Sequence, residues 1–144
     1  MTTALVIVHL SSLDAFTWTV GADTGAALAS SLVQAIKQHR GAIYVIDQKW
    51  PLRGAAEQRP RRAVLAALAR RKHVTLPFDE ATASWDWFLP RLRGRLRRDG
   101  VTRVVLGGIW WTKHGRSGCV NATHRYLRAD FDVTLDTNIV GEEE

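Results

Sequence analysis

The chain has one cysteine, Cys119, in 144 residues, so it cannot form an internal disulfide. That excludes the small secreted domains held together by such bridges. No apolar run approaches the length needed to cross a bilayer, which excludes a spanning helix. The first ten residues carry no basic leader before their short apolar run and no signal-type cleavage pattern, so a soluble, cytoplasmic protein is expected. There is no internal repeat, low-complexity tract or second domain, and 144 residues suit one domain with one core. Acidic residues are in deficit, 14 against 20 Lys and Arg, for a formal charge of +6.

That basic excess is concentrated in Arg61, Arg62, Arg70, Arg71 and Lys72, and again in Arg91, Arg93, Arg95, Arg97 and Arg98. A basic surface can draw nucleic acid or anionic substrates. The second run, however, interleaves with Leu89, Leu92 and Leu96, the buried stripe a helix needs. Solvated helix faces are the preferred reading, and nucleic acid is the lesser alternative.

Ala4–Val8 and Ala42–Ile46 are continuous apolar runs of strand length, as in the middle of a parallel sheet. Val74–Leu76, Thr102–Leu106 and Asp132–Asp136 read as three further strands. Helices are expected over Thr24–Gln38, Arg61–Arg71, Ser84–Asp99 and Cys119 to about Ala129, with Pro60 at the first turn of the second. The segment after the first strand reads as a polar loop, Gln48–Arg59 as another, and Thr137–Glu144 as a frayed tail. Strands alternating with helices predict a three-layer α/β/α domain with a parallel sheet in the order 3-2-1-4-5. In such sheets a ligand binds beyond the carboxyl ends of the strands, where strand order reverses. His9 ends the first strand there, and Gly107-Gly108 leads from the fourth strand towards Cys119. A thiol at a helix start lies near unsatisfied backbone N–H groups that favour thiolate.

Three blocks carry a family resemblance: Thr3–Leu10; Arg103–Trp110 followed by Gly118-Cys119-Val120-Asn121-Ala122-Thr123; and Tyr126–Leu135. Together they resemble the isochorismatase-like cysteine hydrolases, which include nicotinamidases and related amidohydrolases. The resemblance implies a Cys119 nucleophile, an oxyanion site near Gly118 and Cys119, and a small amide, ester or enol-ether-like substrate. The family's triad is Asp–Lys–Cys, and the chain departs from it. His9 stands where the Asp belongs, and Phe78, Asp79 or Glu80 stand where the Lys belongs. The histidine-rich cluster of a metal-dependent branch is missing after the second strand, so no metal or other cofactor is expected. The chain also stops soon after the fifth strand, so residues 1–144 are expected to form one domain shortened relative to the family.

Two readings follow. In one, Cys119, His9 and Asp79 make a Cys–His–acid arrangement on the family scaffold. In the other, catalysis has lapsed and the domain binds a small ligand or a protein. Trp18 (or Phe16), Trp110, Trp111, His114 and Gly118 are the candidate binding residues, with Trp85 and Trp87 as core or dimer-contact residues. Six tryptophans and a shortened end suggest a homodimer.

Overall fold

The computed structural model describes residues 2–47, 55–78, 84–112 and 118–143. Five strands form one sheet: β1 (Thr2–Val8), β2 (Ala42–Asp47), β3 (Val74–Pro77), β4 (Val101–Thr112) and β5 (Asp132–Glu143). All pairings are parallel and the order is β3-β2-β1-β4-β5, as the alternation of elements predicts. Side chains of β1 alternate between two cores. Ala4, Val6 and Val8 pack with α4 (Trp85–Arg98) and α5 (Cys119–Leu127). Leu5 and Ile7 pack on the other face with α1 (Leu13–Val20), α2 (Ala22–Gln38) and α3 (Ala55–Ala69). Both faces of β1 are therefore dry, which is why its sequence is continuously apolar. No described helix is long and apolar enough to cross a membrane.

Four elements differ from the sequence reading. The stretch after β1 is helical, and Trp18 lies on α1 rather than in a loop. Leu13, Phe16, Thr17 and Val20 stand at i, i+3, i+4 and i+7, a helical stripe hidden by threonine-rich composition. The helix α3 begins at Ala55, because the helix-forming residues before Pro60 extend it upstream. Strand β4 runs on to Thr112, and β5 does not end at Asp136. From the Leu106–Leu135 pairing to the Gly108–Val140 pairing, β4 advances two residues and β5 five. The excess is absorbed in a bulge where the Asp136 carboxylate accepts from the Asn138 N–H at 3.0 Å. Beyond it Ile139 is buried and pairing resumes, so residues 137–143 form a strand.

The arginine-rich helices are partly self-neutralised. Arg93 and Arg97 share Asp130, and Arg95 and Arg98 share Asp99. Arg71 caps the end of α2 through the carbonyls of Ile36, Lys37 and His39. Arg61 is buried and pairs with Asp14 at 3.2 Å.

Candidate active site

Strand order reverses between β1 and β4, and the carboxyl ends of these two strands carry the candidate site. They meet closely. Val8 pairs with Gly108, and a Cβ on Gly108 would stand 2.2 Å from the Val8 carbonyl oxygen. Gly108 also has φ +117, a conformation side chains disfavour, so glycine is required there on two counts.

His9 follows directly. Its backbone is left-handed, with φ 52 and ψ 54, and its carbonyl accepts from the Ser12 N–H at 2.9 Å. This turn throws the chain from β1 into α1. Histidine tolerates the conformation better than a β-branched residue would. The ring is turned towards the α4 side, with centroids 4.6 Å from Trp85 and 5.5 Å from Phe78. Trp85 stacks on Phe88, and Phe78 meets Trp85 and Phe88 edge-on. His9 is 3% exposed, and burial pushes its pKa down to about 4. The imidazole is therefore neutral at physiological pH. Its Nε2 and the neighbouring Trp85 Nε1 have no hydrogen-bond partner among the described residues.

Cys119 is the first residue of α5, half-buried, and packs against the same core as Trp85, Phe88 and Val8. Its position is held by three contacts. The Asn121 side chain is buried and forms a double bridge to the end of β4, with Nδ2 donating to the Thr112 carbonyl and Oδ1 accepting from the Thr112 N–H, both at 2.9 Å. The Thr123 hydroxyl donates to the Cys119 carbonyl at 2.6 Å. Gly118 has φ +102 and passes so close to the Trp110 carbonyl and Asn121 Oδ1 that a Cβ would stand 2.6 Å from each. The first helical bond runs from the Ala122 N–H to the Gly118 carbonyl. The preceding N–H groups of α5 therefore lack helical acceptors. Such a cluster can hold an anion or a developing oxyanion.

The fold thus brings His9, Phe78, Trp85, Trp111 and Cys119 to one side of the sheet, at one end. Trp110 is not with them. It packs against Phe16 on the opposite face, at 5.5 Å between rings, because pairing with β5 is irregular between Ile109 and Trp111. Trp18 is 73% exposed on α1 and Trp87 is 77% exposed on α4. His124 lies edge-on to Trp111 at 6.5 Å, its pKa lowered first by burial and then by Arg128 and Arg125. Asp79 and His114 lie outside the described residues, as do Glu80, Arg116 and Ser117. No cluster of metal-ligating side chains occurs among the described residues. Sequence reading missed the buried side chain of Asn121 as the clamp of the Cys119 turn. Its signal was a polar residue on the inner face of a helix, at N3.

The architecture is that of the isochorismatase-like α/β fold. The chain is similar in structure to N-carbamoylsarcosine amidase from Thermoplasma acidophilum, with a TM-score of 0.58 over 97% of this chain and 84% of that one. Sequence identity is 16%, so the likeness is one of fold. No protein-family model matches the chain. No curated protein matches it in sequence.

Proposed function

We propose that this protein is a cysteine hydrolase acting on a small amide, ester or enol-ether-like substrate through Cys119. The observation that carries this reading is the placement of Cys119. It opens a helix just beyond the strand-order reversal, on the same side as His9, with its turn clamped by Asn121. In this reading the sulfur gives up its proton and attacks the substrate's electrophilic carbon, and the displaced electron pair is held by the first N–H groups of α5. The adduct then collapses: the C–N or C–O bond breaks, the amine or alcohol leaves with the proton taken from the thiol, and an acyl thioester remains. Water hydrolyses that thioester, releasing the acid and restoring the thiol. Neutral His9 is in the protonation state a proton acceptor requires, and Asp79 completes the proposed arrangement. The fold shared with an amidase supports the same reaction class.

One observation favours the second reading, a lapsed enzyme that binds a small ligand or a protein. The pKa of His9 is about 4, whereas a cysteine thiol ordinarily ionises near ~8.5. Moving the proton from an ordinary thiol to His9 is uphill by about 6 kcal/mol.

Iodoacetamide alkylation separates the two readings. The hydrolase reading expects Cys119 to react at pH 7 faster than a small-molecule thiol, and His9→Ala to slow it. A rate equal to that of the small thiol, unchanged by His9→Ala, would overturn it in favour of the lapsed domain. Self-association belongs to the proposal too, supported by the exposed indoles of Trp18 and Trp87.

A further inference from the structure

A groove lies between α4 and the edge strand β3, lined by Leu76, Pro77, Phe88, Arg91, Leu92 and Arg95. Its volume is about 170 Å³. A cavity of about 150 Å³ is enough to take a benzene ring. Leu76 and Pro77 on the strand and the edge of Phe88 on the helix supply the accessible apolar wall, and Leu92 lies fully buried beneath it. The two charged residues are both cationic but differ in state. Arg95 is committed to Asp99, its Nε donating at 2.8 Å. Arg91 is exposed and has no ion pair among the described residues, although four other arginines of α4 each have one. Pro77 has no N–H to offer, which disfavours an added β-strand along this edge and leaves recognition to side chains.

We propose that this groove is a binding site for a small aromatic carboxylate, with the ring against Leu76, Pro77 and the edge of Phe88 and the carboxylate on the Arg91 guanidinium. The volume accommodates the ring, the apolar wall covers one side of it, and the Arg91 guanidinium, with no ion pair among the described residues, selects a planar anion that can be held by two parallel N–H bonds. The proposal is independent of the chemistry assigned to Cys119. The groove nevertheless touches the candidate active site through one residue. Phe88 lines the groove, stacks on Trp85 at 5.1 Å and meets Phe78 at 5.4 Å, and both of those rings contact His9. An occupant is thus one aromatic layer away from His9.

Benzoate titrated into the full chain, followed by amide and indole NMR shifts, tests the proposal. Saturable binding is expected with a dissociation constant on the order of 1 mM or below. The largest shifts should fall on Leu76, Phe88, Arg91 and the Trp85 indole. Benzamide, of the same shape without the charge, should bind about tenfold or more weakly, and Arg91→Gln should lose a similar factor. Arg97→Gln, which removes a charge elsewhere on α4, should leave affinity unchanged. Cys119→Ser should also leave it unchanged, which separates this site from the proposed active site. Equal affinity in Arg91→Gln, equal affinity for benzamide, shifts centred on α5 and Trp111, or no saturation in the millimolar range would each overturn it.

Discussion

His9 gives the sharpest quantitative test, because its titration is coupled to folding. Its pKa is about 4 in the folded chain against 6.5 for an ordinary histidine, and burial is the cause. The unfolded chain therefore binds the proton more readily. Folding stability from this group is complete above pH 6.5 and is lost as pH falls towards 4. The full span of the shift is worth about 3 kcal/mol, and between pH 7.5 and pH 5 the loss is about 2 kcal/mol. Urea unfolding at these two pH values reads that loss directly. With a slope near 1.5 kcal/mol/M, the midpoint should fall by about 1 M on account of His9 alone.

The comparison must isolate one group from the others that titrate. His9→Asn does so, since asparagine does not titrate and tolerates the left-handed backbone that His9 adopts. Losing the ring contacts to Trp85 and Phe78 lowers stability at every pH, so the informative quantity is the difference in slope. His39 and His124, both held below the ordinary value chiefly by burial, cancel in that difference. The variant should lose about 2 kcal/mol less than the parent between pH 7.5 and pH 5. The His9 ring resonances should still report neutral imidazole at pH 5. Equal losses in the two proteins, or a ring that titrates near 6.5, would refute both the burial argument and the assignment of a neutral His9 to the site.

Further substitutions test how the Cys119 turn and the contact between β1 and β4 are held. Asn121→Ala removes both bonds to the backbone of buried Thr112, which should cost about 1–3 kcal/mol in urea unfolding; Asn121→Asp should restore less than half, because it keeps the acceptor and loses the donor. Gly108→Ala sets a methyl against the backbone of Val8 and strains a φ of +117, so it should destabilise by more than about 3 kcal/mol and yield little soluble protein. Ala substitution at solvent-exposed Gly94, where a Cβ meets nothing within 4 Å, should instead be neutral or stabilising.

The sheet order was legible because it rests on patterns that physics enforces strongly. Strands buried on both faces must be continuously apolar, and strands alternating with helices must cross over in one hand. Cys119 at a helix start was readable as well, whereas Gly107-Gly108, read as the end of the fourth strand, lie inside β4, which continues to Thr112. The features missed are those set by tertiary partners. Nothing local marks Asp136 as the start of a bulge rather than the end of a strand; only the pairing of Val140 and Gly141 with β4 makes it so. Trp110 and Trp111 lie on opposite faces as strand neighbours do, but the pairing irregularity between Ile109 and Trp111 decides which one meets the site, because it leaves Trp110 on the same face as Ile109. Asn121 was missed because a buried amide is acceptable only if both of its ends find partners, and nothing in the sequence marks Thr112 as that partner.

The electrostatics of the site set a condition on any reaction that Cys119 performs. The helix start contributes about 0.3–1 kcal/mol towards an anion, less than one pKa unit. Neutral His9 adds no positive charge at pH 7. A resting thiolate paired to imidazolium would have to overcome the desolvation that holds the ring near 4. Proton transfer must then be simultaneous with attack, or be driven by negative charge that the substrate brings or develops beside the ring. Either route makes His9 a better base in the complex than in the unliganded chain. Its pKa should therefore rise when a substrate or transition-state mimic binds, and the same ring observed by NMR with such a mimic bound reports the direction. A ring that stays neutral at pH 5 in the complex would remove His9 from the proton path and leave it as an aromatic wall beside Trp85.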